Sequence, residues 1–301
     1  MKKLTAGIDI GGTNTVFGWV ESSGKFHWKG RLKTPDYKDP KDLVNAVSTE
    51  LLAHLDEHEA LGVGIGAPNG NYYKGTVEFA PNLDWPNYVP LKEYFHDYFD
   101  MPVVVTNDAN ATALGEMVYG SAKGLNNFIM VTLGTGLGSG IVTNGQVVYG
   151  HDAFAGELGH VIVEEGGRLC GCGRKGCLET YASATAISTT AKELTSKEYS
   201  SEQVFEAAKA GESWALDAFD FTAKKLGLAL ANAVAMTSPR CIYLFGGLAQ
   251  AGDLLFKPTK RYMEDNLLSI YKNKVQILPS SLQGSEAAIL GASALVWKEI
   301  S

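Results

Sequence analysis

The chain has 301 residues, long enough for one large or two medium domains with substantial cores. Its 26 basic and 33 acidic side chains leave a net charge of −7 with no basic stripe or block, which argues against nucleic acid as a partner. Lys2 and Lys3 precede an apolar stretch stopped at Asp9, and the longest apolar run, Leu226 to Met236, is well short of a membrane span; the expectation is a cytoplasmic chain with reduced thiols and no membrane partner.

In chain order, Leu4 to Ile10 reads as a strand, Gly11-Gly12-Thr13-Asn14-Thr15 as a turn, Val16 to Val20 as a returning strand and Ser22 to Lys25 as a second turn. Apolar residues at 43, 44, 47, 51, 52 and 55 give Asp42 to His58 one helical face. Leu61 to Ala67 is a short apolar strand interrupted by glycines, ending at Pro68-Asn69-Gly70. A Val-rich strand, Pro102 to Thr106, delivers Asn107 and Asp108 to its carboxyl end, and Ala109 to Tyr119 follows as a helix.

Phe128 to Leu133 is again a strand, Gly134 to Gly138 a turn, Ser139 to Val142 a strand and Asn144-Gly145 a hairpin signal. The chain thus starts the same supersecondary unit twice, which predicts two related halves. Ala182 to Leu194 and Gln203 to Met236 are mostly helical, closed by Ser238-Pro239. Cys241 to Phe245 is a buried strand running into Gly246-Gly247, and Ser285 to Lys298 is a final helix.

The most specific chemistry lies in Gly156-Glu-Leu-Gly-His160 and Cys170-Gly-Cys-Gly-Arg-Lys-Gly-Cys-Leu-Glu179. One imidazole and three thiolates, from His160, Cys170, Cys172 and Cys177, are what a closed tetrahedral zinc site needs. Core thiols would sit among apolar residues, which these do not. A disulfide fits poorly, because Cys170 and Cys172 are too close for comfortable bridging and a third thiol is left over. Two carboxylates, Glu157 and Glu179, flank the ligands and would be held in place with them, unless they are solvated surface charges.

The glycine turns carry the second piece of chemistry. In Asp9-Ile-Gly-Gly-Thr-Asn-Thr15 the backbone of Gly11 and Gly12 can approach a phosphate, with Thr13 and Asn14 facing its oxygens and Asp9 holding a hydrated Mg2+. Alone, this turn is equally well read as an ordinary hairpin. Its pairing with Gly134, Thr135 and Gly136 in Leu133-Gly-Thr-Gly-Leu-Gly-Ser-Gly140 favours phosphate, although there is no Walker lysine motif. Gly246 and Gly247 form a third turn that could face a flat adenine.

In this order the four motifs resemble those of ROK-family sugar kinases, over essentially the whole chain and most strongly those of the bacterial ATP-dependent glucokinases. The resemblance implies an α/β, two-domain, actin-like (ribonuclease-H-like) fold with a duplicated core. The expected domains are 1–119 with 286–301, and a larger 120–285 carrying the zinc segment and nucleotide contacts. The resemblance also implies transfer of phosphate from ATP to the 6-hydroxyl of a hexose, glucose foremost, with fructose or an N-acetylhexosamine as alternatives. It makes Asp108 the general base, where the residues alone leave helix capping equally open. Asn82, Asn107, Asp108, Glu157, His160 and Glu179 become sugar contacts, zinc structural, Mg2+ the catalytic metal carried with ATP, and the assembly a homodimer.

One departure is local. Many relatives have Pro-Gly where this chain has Pro68-Asn69-Gly70. A competing class, the sugar-sensing repressor, carries an extra N-terminal helix-turn-helix domain, for which the turn beginning at Asp9 leaves no room.

Overall fold

A computed structural model describes residues 1–282 and 284–300; Gln283 and Ser301, which fall within the expected domain spans, lie outside the described residues. The chain divides into two compact units: Met1–Leu125 with Val147–Ala155 and Ser281–Ser301, and Asn126–Gln146 with Gly156–Ser280.

The first unit is built on a five-stranded sheet, in spatial order Phe26–Lys33, Asn14–Glu21, Lys3–Ile10, Glu59–Gly66 and Val103–Thr106. The first three strands form an antiparallel meander, and the last two run parallel to Lys3–Ile10. Parallel neighbours need crossovers, and the helix Pro40–Ala53 supplies the first. Asp39 caps it, accepting from Lys41 N, and its buried Leu43, Val44, Val47 and Leu51 form the apolar face expected from the sequence. Trp19, fully buried in the same core, donates its indole N–H to Leu51 O at 2.8 Å.

The C-terminal helix Gly284–Glu299 packs on the strands Lys3–Ile10 and Glu59–Gly66 and against the helix Asp108–Val118. Gly7 and Gly64 permit this: a Cβ at either would strike the helix backbone at Ile289 or Ala292. The glycines that interrupt the apolar strand therefore make room for a helix.

The second unit repeats the plan, with sheet order Gln146–Val147, Leu137–Thr143, Phe128–Leu133, Cys241–Phe245 and Gln276–Pro279. Phe128–Leu133 pairs antiparallel with its hairpin partner and parallel with Cys241–Phe245, as in the first unit. Its core surrounds the 25-residue helix Ser213–Thr237, which packs along Asp253–Asn266. The helical stretch expected from Gln203 onward is two helices, Ser201–Lys209 and Ser213–Thr237. The break falls at Gly211, whose φ of +86° suits glycine best. Among the described residues no helix is long and apolar enough to cross a membrane.

Candidate active site and metal centre

In the first unit, the strand Val103–Thr106 ends at Asn107, the N-cap of Asp108–Val118. Asn107 Oδ1 accepts from Ala109 N at 2.8 Å, and Asp108 Oδ1 accepts from the same N–H at 2.8 Å. The capping role considered for Asp108 thus belongs first to Asn107, leaving the Asp108 carboxylate only partly engaged. Asp108 sits in the first turn of the helix.

Asp9 ends the first strand and pairs in register with Gly66, which pairs with Thr106. A Cβ on Gly66 would lie 3.6 Å from both Asp9 Oδ1 and Asp108 Cα, so the two acidic residues converge over one bare glycine. Burial, and secondly the charge of Asp108, push the Asp9 carboxyl up to about 7. Desolvation also raises the Asp108 carboxyl, opposed by hydrogen bonds from backbone N–H groups. Asp108 is nonetheless exposed at the surface, and that access to water limits the rise.

Asn82 meets the first glycine turn directly, since a Cβ on Gly12 would lie 2.5 Å from Asn82 O. Gly11 N donates to Asn14 O at 3.0 Å, closing the turn, and Thr13 is exposed. Asn69 adopts φ +52°, the left-handed conformation that asparagine tolerates better than most residues, and its amide donates to Phe79 O at 3.0 Å. The departure at Pro68-Asn69-Gly70 is accommodated by that conformation.

In the second unit the cysteine segment folds as a knuckle. His160, Cys170, Cys172 and Cys177 present ligand atoms that all lie within 4.8 Å of one another. Cys172 and Cys177 sulfurs are 3.6 Å apart, and Cys170 Sγ is 3.7 Å from His160 Nδ1. Tetrahedral zinc with Zn–S bonds near 2.3 Å has edges of about 3.8 Å. The donor set and its spacing therefore fit zinc. His160 Nε2 is 3.9 Å from Glu157 Oε2, so its two nitrogens face different partners.

Sequence reasoning missed Arg174, although it lies inside the cysteine motif. Its backbone and side chain lower the Cys172 thiol to about 6, while burial pushes Cys177 up to about 12. Arg174 also donates to His160 O at 2.8 Å, bracing a ligand from behind.

Glu179 lies between the knuckle and the second glycine turn. Oε2 accepts from Leu137 N at 2.9 Å and Oε1 is 3.9 Å from Cys170 Sγ. A Cβ on Gly136 would collide with this carboxylate, which explains glycine there. The turn is latched further by Ala184 N to Gly134 O at 2.8 Å and Thr185 Oγ1 to Thr135 O at 2.9 Å.

Gly134 and Gly247 differ from Gly136. A Cβ on either would meet nothing within 4 Å, and neither has positive φ, so neither packing nor backbone conformation requires glycine. Bare backbone facing open space is what an approaching phosphate or purine needs. Gly247 borders a recess with apolar walls at Ala184, Phe205, Phe219 and Leu248 and polar groups from Ser201, Glu202 and Gln250. By contrast Gly246, at φ +104°, packs on Leu133 O. The candidate residues thus fall in two sets. Asp9, Gly11, Gly12, Thr13, Asn14, Asn82, Asn107 and Asp108 lie in the first unit, and the remaining ones in the second.

A model of the ROK family matches residues 5–299. The glucokinase of Halalkalibacterium halodurans is 34% identical over 314 residues, covering 97% of this chain and 94% of that protein. The xylose repressor of Bacillus subtilis is 32% identical over 296 residues, covering 97% of this chain and 76% of the repressor. The crystal structure of a ROK family glucokinase from Streptomyces griseus, in complex with glucose and AMPPNP, matches with a TM-score of 0.83 at 33% identity, covering 98% of this chain and 99% of that one. The two mixed sheet-and-helix lobes are those of the actin-like sugar-kinase fold, and in sequence and structure the chain is matched to ATP-dependent hexose kinases of the glucokinase type. From the matched span and these relatives, the chain belongs to the ROK family.

Proposed function

We propose that this chain transfers the γ-phosphoryl group of ATP to the 6-hydroxyl of a hexose, and that the hexose is glucose. The observation that carries the reading is Asp108, a helix-start carboxylate that converges with Asp9 over Gly66 and whose capping duty Asn107 shares. An ordinary carboxylate is a weak base at neutral pH, and raising its pKa toward the working pH makes it a better acceptor for a hydroxyl proton.

In the step, sugar O6 forms a bond to the γ-phosphorus. The bond from that phosphorus to the β–γ bridging oxygen breaks, ADP leaves with the electron pair, and the O6 proton goes to Asp108. Mg2+ bound through the ATP phosphates, with Asp9 reached through water, would neutralise the charge on the transferring group. Gly11 to Asn14 and Gly134 to Gly136 are assigned to the phosphates, and the recess beside Gly246 and Gly247 to adenine. Support comes from the bare backbone at Gly134 and Gly247.

Asn82, Asn107, Glu157, His160 and Glu179 are assigned to the sugar hydroxyls. The split orientation of His160, one nitrogen toward Cys170 and the other toward Glu157, supports a double role as metal ligand and sugar contact. Zinc in the knuckle is structural in this reading, since four protein ligands leave no open position. Glucose is favoured by the likeness to glucokinases, one of them with glucose bound, and by the run from Ala155 through Thr185, which resembles the glucokinase branch. The working form is proposed to be a homodimer.

A coupled assay of ADP release across glucose, mannose, fructose, N-acetylglucosamine and N-acetylmannosamine tests this. Glucose is expected to give the highest kcat/KM with product phosphorylated at O6. A tenfold advantage for fructose or an N-acetylated hexosamine would overturn the glucose assignment, and no sugar-dependent ADP release would overturn the kinase.

A further inference from the structure

Outside the cysteine knuckle, the described residues hold a second group of metal-ligating side chains. His27, Asp56 and His58 present ligand atoms that all lie within 4.8 Å of one another. All three belong to the first unit. His27 lies on the edge strand Phe26–Lys33, while Asp56 and His58 lie on the turn leading into Glu59–Gly66.

The local backbone fixes that turn. Asp56 takes φ +53°, and Glu59 N donates to Lys2 O at 2.9 Å, tying the end of the turn to the first strand. His27 Nε2 is 2.9 Å from Asp56 Oδ2, and the His27 and His58 rings meet edge to face with centroids 4.4 Å apart. His58 Nδ1 takes only a long contact from Lys2 N, at 3.4 Å. A metal–nitrogen bond near 2.1 Å would readily replace so weak a partner. The nearby Lys2 ammonium is held by Glu21 at 2.8 Å, which offsets its charge.

The donor types select the ion. Two imidazoles and one carboxylate suit first-row transition metals and not Mg2+ or Ca2+, which prefer all-oxygen shells. Bonds near 2.1 Å give donor–donor edges of about 3.0 Å at right angles and about 3.4 Å in a tetrahedron. His27 and Asp56 are hydrogen-bonded at 2.9 Å, so a bound ion would replace that contact with only a small separation of the two groups.

We propose that His27, Asp56 and His58 form a second divalent-metal site, taking a first-row transition-metal ion such as Ni2+ or Cu2+, with water completing the shell. Bound there, the ion cross-links the edge strand to the turn before the first parallel strand. This site is independent of the knuckle and of the kinase reading.

The test is Ni2+ binding to the full chain as purified, by equilibrium dialysis with total metal analysis. Wild type is expected to take up one Ni2+ per chain beyond the metal it already carries. His27→Ala and His58→Gln should each weaken that uptake at least tenfold, with far-ultraviolet circular dichroism unchanged. His151→Ala, at an exposed position elsewhere, should retain it. Should either variant fail to fold, Asp56→Asn at the exposed carboxylate gives the same readout and should also weaken uptake. Wild-type uptake no greater than that of His27→Ala, or equal loss in His151→Ala, would overturn the proposal.

Discussion

Glu179 Oε2 accepts a hydrogen bond from the Leu137 backbone N–H at 2.9 Å, and this contact joins the cysteine knuckle to the second glycine turn. The same carboxylate closes the space beside Gly136, so the orientation of one side chain depends on both motifs. Glu179→Gln keeps the shape but loses the charge that strengthens the hydrogen bond from Leu137 N and, in the proposed role, those to sugar hydroxyls. Loss of one charge-assisted bond corresponds to about 1.5–3 kcal/mol, or roughly 10- to 100-fold in kcat/KM for the sugar. The KM for ATP should move much less. Equal effects on both substrates in steady-state kinetics would place Glu179 in a general structural role.

Asn107 and Asp108 share one backbone donor, Ala109 N, and this separates chemistry from capping. Asp108→Asn keeps the size of the side chain and leaves the Asn107 cap intact, so the melting temperature should barely change while kcat falls at least about 10²-fold. Asn107→Ala removes the cap and should cost about 1 kcal/mol of stability. Near-normal turnover in Asp108→Asn would remove it as the base.

Asp9 gives a pH prediction. Its carboxyl is raised from 3.8 to about 7 in the folded chain, so between those values the folded state binds more protons than the unfolded one. Stability then falls as pH rises through that window, because ionising Asp9 is penalised by burial and by Asp108. Asp9→Asn removes the penalty. In buffer free of nucleotide and Mg2+, the variant should be more stable than wild type at pH 8, by a few kcal/mol at most, and indistinguishable near pH 4. Thermal melts at the two pH values decide the matter, and a variant less stable at pH 8 would contradict it. The same variant should lose kinase activity, so a stability gain would accompany a functional loss.

What is legible from sequence is what is local. The two strand–turn–strand starts follow from short, nearly continuous apolar runs ended by glycine turns, and the candidate metal ligands from their spacing within a short segment. Phe26–Lys33 is legible too, though not among the expected strands: Phe26, Trp28 and Leu32 alternate with His27, Lys29, Arg31 and Lys33, as an edge strand's two faces should. Asp253–Asn266 is hidden by Pro258, which argues against a helix yet lies within it. The partition of capping between Asn107 and Asp108, and the Glu179–Leu137 contact across 42 residues, depend on tertiary placement that no pattern encodes. Gly7 and Gly64 look like weak points in strands until the C-terminal helix lies against them.

The knuckle yields the last prediction. Hydrogen bonds from Arg174 lower the Cys172 thiol, which favours its deprotonation and its capture of a metal. The spacing of 3.6 and 3.7 Å between donors is close to that of a zinc tetrahedron, so little rearrangement is needed on binding. Purified chain should therefore contain close to one zinc, apart from any ion at His27. Cys172→Ser, or prolonged treatment with a strong chelator, should raise the sugar KM and lower the melting temperature together, because His160 and Glu179 lose a common anchor. Arg174→Ala should leave the ligands in place and slow zinc loading, with equilibrium content near normal and the effect largest below pH 7. Fully active protein without zinc by metal analysis would refute the structural role, and unaltered sugar KM in Cys172→Ser would separate the metal from the sugar contacts.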